Sequence, residues 1–184
     1  EINAETGQET NVLFSHAESD VSPGGYSEQT GSISYAYYFT WKRERHYLND
    51  QVRAMYEKME EKIPGYDWRV LDKDISNKRI ILNAFTDRNP GVIYYYDGDK
   101  NRLVKLTETN PKLKEHDMAV MRPISFDARD GVRIHGYLTM PNGSTRRNLP
   151  VIVYPHGGPS DRNIWGFSPE VQYFANRGYA VFQV

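Results

Sequence analysis

The tetrad His156-Gly157-Gly158-Pro159 follows directly on the apolar run of residues 149–154, LPVIVY. Glycine has no Cβ, so a glycine pair at the end of a strand leaves backbone N–H groups that a carbonyl oxygen can approach closely. Aimed at an oxygen that gains negative charge during a reaction, one such donor lowers the barrier by about 3–4 kcal/mol. A second spacing could hold a cation. Asp97, Asp99 and Asn101 stand at positions 1, 3 and 5 of a possible calcium loop, with Val104 at 8 and Glu108 at 12. Position 6 of such a loop requires glycine for its sharp turn and is Arg102 here, and the flanks IYYY and RLVKL read as strands rather than helices. The spacing therefore predicts a hairpin turn, and no metal site is expected. The histidines, His16, His46, His116, His135 and His156, are scattered with no ordered Ser or Asp partner. No cysteine supplies a thiol nucleophile, a disulfide or a soft metal ligand.

Composition narrows the partners. Lys plus Arg is 23 against 24 for Asp plus Glu, a net charge of -1. So even a balance gives no electrostatic reason to expect nucleic acid or an anionic membrane. No apolar run approaches the roughly 18–20 residues that cross a bilayer. Nothing implies a cofactor. The chain opens without the n-region and h-region of a signal peptide, and compartment stays open between cytoplasmic and periplasmic or secreted. Fourteen tyrosines, seven phenylalanines and three tryptophans suit a β-rich chain.

The elements that must position these residues fall into two groups. From residue 12 to 107 the sequence reads as short strands punctuated by turns. VLFSH (12–16) is a strand, SPGGY (22–26) a breaker, SISYAYYFTW (32–41) an aromatic strand, and the charged KRER leads through a hairpin to HYL. Residues 49–63 change period: Val52, Met55, Tyr56, Met59 and Ile63 share one helical face, Asp50 can cap the start, and Pro64-Gly65 ends it. Strand-sized segments follow at 68–71, 79–86, 91–97 and 102–107. Four antiparallel strands in about 40 residues is the size of one β-propeller blade; a small sandwich would read the same, and a single such unit is visible, which establishes no repeat.

After the polar stretch 109–117 the character changes. RPISFDARDGVRIHGYLTMP predicts two strands around an Asp130-Gly131 turn, and NGSTRRN (142–148) a surface loop. The run 149–154 predicts a strand buried on both faces. Ser168-Pro169-Glu170 is a helix start with an N-cap hydroxyl, a first-position proline and an early acid. Val171, Phe174 and Ala175 form its inner face, Gly178 ends it, and 179–184 is a second buried strand. The expected fold is mixed. An all-β part, 1–116, made of partial β-propeller blades, precedes the N-terminal part of an α/β-hydrolase fold, 117–184, with the boundary between Glu108 and Met121. In α/β-hydrolases one oxyanion donor comes from the loop between the third strand and the first helix, which is where His156-Gly157-Gly158 stands.

The stretches RDGVRIHGYLTMP, LPVIVYPHGGP, W-G-F at 165–167 and NRGYAVFQV together resemble the opening of the catalytic domain of the prolyl oligopeptidase family of serine peptidases. The nearest branch is that of acylaminoacyl peptidases and related dipeptidyl peptidases, in which a β-propeller precedes the catalytic domain. Residues 122–184 carry the specific resemblance. It implies a peptide substrate, hydrolysis of peptide bonds through a Ser-Asp-His triad, the Gly158 N–H as oxyanion donor, and Gly157 as the point of close approach. Some members carry a tyrosine where this chain has His156, and use its hydroxyl as a donor. The departure shifts the work to the backbone and leaves His156 as a structural or substrate-contacting residue rather than the general base.

The resemblance also implies a serine on a G-x-S-x-G elbow beyond the oxyanion loop. Gly25-Tyr26-Ser27-Glu28-Gln29 has only the first half of that pattern and lies in an expected turn. None of the triad is legible, so the chain is expected to be inactive alone and truncated before the elbow, with an open sheet edge through which it could dimerise. Some dipeptidyl peptidases bind a substrate amino terminus with paired glutamates on a propeller helix. Glu60-Glu61 lacks any matching surroundings and reads as a solvated helix face. The resemblance covers peptidases that remove dipeptides, release acylated residues or cut internally. The rival reading is a non-enzymatic propeller-type binding module with Tyr35, Tyr37 and Phe39 on an exposed face, against which packing between blades is the simpler account.

Overall fold

A computed structural model describes residues 1–28, 30–144 and 147–184. Among the described residues the regular structure is mostly β-sheet, with two short α-helices. The first sheet is antiparallel, ordered β1 (Val21–Ser27), β2 (Ser32–Phe39), β3 (Arg43–Tyr47). The expected breaker SPGGY lies inside β1, and the cause is on the neighbouring strand. Gly24 pairs with Tyr35 across the ladder. A Cβ on Gly24 would sit 2.2 Å from the Tyr35 ring, and one on Gly25, at φ +62°, 2.6 Å from it. The two glycines form a bed for the ring, and cross-strand packing overrides local turn preference. Ser27 closes this strand, so GYSEQ begins in a strand rather than a turn; Gln29 lies outside the described residues. VLFSH forms no strand. Val12 is 70% exposed, and Phe14 stacks on the His46 ring at 4.1 Å instead of joining a ladder.

Helix α1 (Asp50–Glu60) follows the apolar stripe. Asn49 rather than Asp50 is the cap; its side chain accepts from the Val52 N–H at 3.0 Å, while Asp50 pairs with Arg53 one turn on. Tyr56, Met59 and Ile63 are buried against Tyr35, Trp68, Ile80, Leu82, Ala84 and Tyr96. Helix α1 thus packs into one core with the first sheet and the second. That second sheet is antiparallel in sequence order: β4 (Asp67–Lys73), β5 (Arg79–Phe85), β6 (Val92–Asp97), β7 (Arg102–Glu108). Its inner face is set by the period-2 alternation Ile80, Leu82, Ala84, each 0% exposed.

The third sheet holds β8 (Met121–Asp127), β9 (Arg133–Thr139), β10 (Val151–Tyr154) and β11 (Ala180–Gln183), in the order β10-β11-β9-β8. β8 and β9 form the expected hairpin around Gly131. β10 and β11 are parallel, and helix α2 (Pro169–Ala175) connects them. Ser168 caps α2 from its hydroxyl, and Val171 and Ala175 are 1% exposed beneath it. The expectation that 149–154 is buried on both faces fails. β10 is the edge strand, and Val151 and Val153 are 57% and 61% exposed. Burial falls to β11, which has neighbours on both sides. In the loop 142–148, Thr145 and Arg146 lie outside the described residues. Among the described residues no helix is long and apolar enough to cross a membrane.

Candidate functional site

The loop 155–163 leaves the carboxyl end of β10 beside that of β11, where open α/β sheets place their ligand crevices. Both ends of the loop are tied to the sheet. The His156 N–H donates to the Val184 carbonyl at 3.0 Å. The Asn163 amide donates to the Val184 carbonyl at 2.8 Å and the Tyr154 carbonyl at 3.4 Å, and its oxygen accepts from the Gln183 side chain at 3.2 Å. Between these ties the glycines are exposed. Gly158 has φ +142°, and a Cβ there would sit 3.0 Å from the Ser160 nitrogen and 3.2 Å from Asp161 Cβ. Only glycine fits that conformation without strain. A Cβ on Gly157 would meet nothing within 4 Å, so that side of the loop is open to an approaching group. Among the described residues neither glycine amide has a hydrogen-bond partner.

His156 Nδ1 lies 2.6 Å from the Gly157 carbonyl. A carbonyl only accepts, so Nδ1 carries the hydrogen that points at it. Among the described residues no carboxylate orients this ring, which sets it apart from a triad base. A cleft of about 760 Å³ opens alongside, lined by His156, Arg162 and Asn163 of this loop and by Phe39, Thr40 and Trp41 at the end of β2 and the turn after it. That size lies within the range of small-molecule sites.

Sequence reasoning missed the residues that join this loop to the first sheet. The Arg162 guanidinium forks onto the carbonyls of Phe39 and Thr40, both at 2.9 Å. The Tyr137 hydroxyl donates to the Trp41 carbonyl at 2.6 Å, and Lys42 Nζ lies 3.8 Å from the centre of the Trp165 ring. Burial raises the Tyr137 hydroxyl's pKa, with the Arg162 charge opposing, so the group stays protonated and a donor. Only the W-G-F motif hinted at this contact, since it placed an aromatic after the loop.

The remaining candidates resolve differently. Asp97, Asp99 and Asn101 lie on the β6–β7 hairpin turn, and protein donors occupy their oxygens. Lys100 N–H reaches Asp97 at 3.2 Å, Lys78 reaches Asp99 at 2.7 Å, and the Tyr96 hydroxyl reaches Asn101 at 3.0 Å. Among the described residues no group of three or more His, Asp or Glu is placed to hold a metal. Glu60 is not a freely solvated carboxylate, contrary to expectation. It accepts from the Trp68 indole at 2.8 Å and lies 4.0 Å from Arg45, while Glu61 is exposed. Tyr35 is 8% exposed and packs between Gly24-Gly25 and Tyr56, so the aromatic strand is chiefly a packing element.

No protein-family model matches the chain. Dipeptidyl aminopeptidase BIII of Pseudoxanthomonas mexicana is 30% identical over 190 residues, which span 100% of this chain and 27% of that protein. The chain therefore covers about a quarter of that relative's length. A prolyl endopeptidase structure superposes with a TM-score of 0.62 at 12% identity, covering 93% of this chain and 25% of that one. An acylaminoacyl peptidase in complex with Z-Gly-Gly-Phe-chloromethyl ketone gives 0.54 at 20% identity, covering 97% and 27%. At such identities these two likenesses are of fold. The sequence match supports membership of the prolyl oligopeptidase family of peptidases, and the two structural likenesses agree with it in fold.

Proposed function

We propose that the chain supplies the oxyanion-binding loop of a serine peptidase that hydrolyses oligopeptides, with the Gly158 N–H as donor and Gly157 as the open side for the incoming carbonyl. The observation that carries this reading is the Gly158 amide, without a hydrogen-bond partner among the described residues and held on an exposed loop at the carboxyl ends of parallel β10 and β11. The nucleophilic serine and its acid and histidine partners belong to residues other than these 184. A serine hydroxyl adds to the scissile carbonyl as histidine takes its proton, and the carbonyl oxygen becomes an oxyanion facing the Gly158 amide. Collapse of the adduct expels the amine, which the same histidine protonates, and leaves an acyl-serine that water then cleaves to release the acid and restore the serine. His156 contributes to the wall of the substrate cleft.

The order β8-β9-β11-β10, with β9 antiparallel to β11, supports residues 117–184 as the first part of an α/β-hydrolase domain. The meander β4–β7 and the sheet β1–β3 support 1–116 as propeller blades. The name of the 30%-identical relative supports peptides as the substrate class.

An active-site-directed fluorophosphonate tests the reading on the 184-residue chain. No serine is expected to be labelled, and no peptide amide to be cleaved; stoichiometric labelling of one serine with turnover would overturn it. In the longer polypeptide that carries a G-x-S-x-G elbow, Gly158→Ala is expected to lower kcat by roughly 10²–10³-fold. Unchanged kcat there would remove Gly158 from the oxyanion site.

A further inference from the structure

Three consecutive carbonyls at the end of β2 accept hydrogen bonds from the third sheet and its loop. The Arg162 guanidinium donates to those of Phe39 and Thr40, both at 2.9 Å, and the Tyr137 hydroxyl to that of Trp41 at 2.6 Å. Successive carbonyls of an extended strand point to opposite sides, so one guanidinium reaches two of them only where the strand gives way to a turn. β2 ends at Phe39, which puts the pair at such a point. A planar fork of N–H donors suits two adjacent acceptors, whereas the compact ammonium of lysine does not. The receiving turn is itself braced. The Thr40 N–H donates to the Lys42 carbonyl at 3.1 Å, and the Phe39 N–H to the Ser19 hydroxyl at 3.3 Å.

On the other side of this contact, Arg162 adjoins the compact turn that holds Gly158. The Asp161 N–H donates to the Pro159 carbonyl at 3.2 Å, and the Gly158 α-carbon packs so closely on Ser160 and Asp161 that a Cβ would press on both. A displacement of Arg162 is therefore passed to Gly158 through residues already in contact. His156 and Asn163 tie the ends of the loop to its own sheet. Among the described residues, the hydrogen bonds that tie the loop to the first sheet are those of Arg162. Phe39, Thr40 and Arg162 line the same cleft as His156, so the fork spans the space beside the glycines.

We propose that Arg162 is a positioning residue for the Gly158 amide: its fork onto the Phe39 and Thr40 carbonyls fixes the direction in which the glycine turn presents that N–H, so the first sheet helps to aim the donor. The inference rests on the reading of Gly158 as the oxyanion donor. Such a donor acts within a narrow range of distance and angle, and a misplacement of about 1 Å can cost about 10²-fold in rate. Arg162 acts on the transition state through Gly158, so its loss is expected in kcat rather than in KM.

Arg162→Ala tests this in two settings. In the 184-residue chain, NMR relaxation reads the Gly157 and Gly158 amides directly. Their order parameters are expected to fall from about 0.85 to below about 0.6, while those of β5 stay unchanged and show that the fold is intact. In the longer polypeptide that carries a G-x-S-x-G elbow, kcat is expected to fall roughly 10–100-fold with KM unchanged. Added guanidinium ion, at concentrations well below those that unfold the protein, is expected to restore part of that kcat and to give the parent no gain. A variant that was merely destabilised would instead lose activity, because guanidinium weakens the fold. Arg162→Lys, with a cation but no fork, is expected to lie between the two. Unchanged order parameters, or an unchanged kcat in Arg162→Ala beside a slow Gly158→Ala, overturn the inference and leave the oxyanion reading in place. An unchanged kcat in Gly158→Ala overturns that reading, and this inference with it.

Discussion

At the scale of single residues, the chain shows how a side chain's worth depends on what surrounds it. Asp67 is an acid in a β-rich stretch with nothing in its neighbours to mark it. In the fold its side chain is 8% exposed, accepts the Trp68 N–H at 2.7 Å, and pairs with Arg45 at 2.9 Å and Arg43 at 3.6 Å. Removing one member of a buried pair strands the other charge, and the cost is about 3–5 kcal/mol. Asp67→Asn is therefore expected to lower stability by that amount, read from urea denaturation at constant m-value. A loss below about 1 kcal/mol would mean that solvent already compensates the arginines. Gly158 is the converse. Its importance lies in what it lacks, because any Cβ at φ +142° strains the backbone and presses on Ser160 and Asp161.

At the scale of elements, local chemistry closes the turns. The β4–β5 hairpin is held by Asp74. One of its oxygens accepts from the Lys78 and Arg79 amides at 2.9 and 3.0 Å, and the other from the Ser76 hydroxyl at 2.6 Å and the Arg79 guanidinium at 3.2 Å. These donors, the Arg79 amide first among them, favour the ionised form and lower the carboxyl's pKa to about 2. The ordinary aspartate value is about 3.9. A depressed folded-state pKa stabilises the fold fully above the unfolded value, and that contribution is lost as pH falls from about 4 through 2. A carbon-detected NMR titration is expected to place the Asp74 midpoint near 2, and Asp74→Asn should reduce the acid sensitivity of the urea midpoint between pH 4 and 2. A midpoint near 4 would show that the hairpin donors do not hold the carboxylate. Helix α1 follows the same logic through its Asn49 cap, and its Met59, 0% exposed, ties it into the core. Met59→Ala is expected to cost about 2–5 kcal/mol, measured by thermal or urea unfolding.

At the scale of the whole molecule, polar clamps rather than shared strands join the third sheet to the rest. Gln172 on α2 donates to the carbonyls of Asp87 and Ala119 and accepts from the Ala119 amide, while Asp87 receives the Met121 amide at 2.8 Å. Arg162 and Tyr137 do the same for the turn at 39–41. Arg162→Ala is expected to speed amide hydrogen exchange in the loop 156–163 and in the turn, without changing exchange in β5. The same scale governs association. β10 is a free edge with two exposed valines, between Pro150 and Pro155. Such an edge can pair with a second copy, although its shortness and flanking prolines limit the ladder. Light scattering on the 184-residue chain is expected to show concentration-dependent self-association that Val153→Lys abolishes; a monomer at all concentrations would leave the edge without that role.

The sequence by itself determined the elements whose physics is local. The 3.6-residue stripe of α1, the Ser168-Pro169-Glu170 start of α2, the Asp130-Gly131 turn and the alternating strands between 67 and 108 all follow from neighbours a few positions apart. It also placed the glycine pair at the end of a strand. Tertiary structure decided whatever depends on a partner far along the chain. Gly24-Gly25 lie in a strand because the Tyr35 ring lies over them, and residues 149–154 are half exposed because β11, not β10, takes the interior position. Arg162 grips carbonyls 123 and 122 residues away, and Asn163 reaches one 21 residues away. Propensity and period carry information over one or two turns of chain, whereas strand order, burial and clamping arise only when distant surfaces meet.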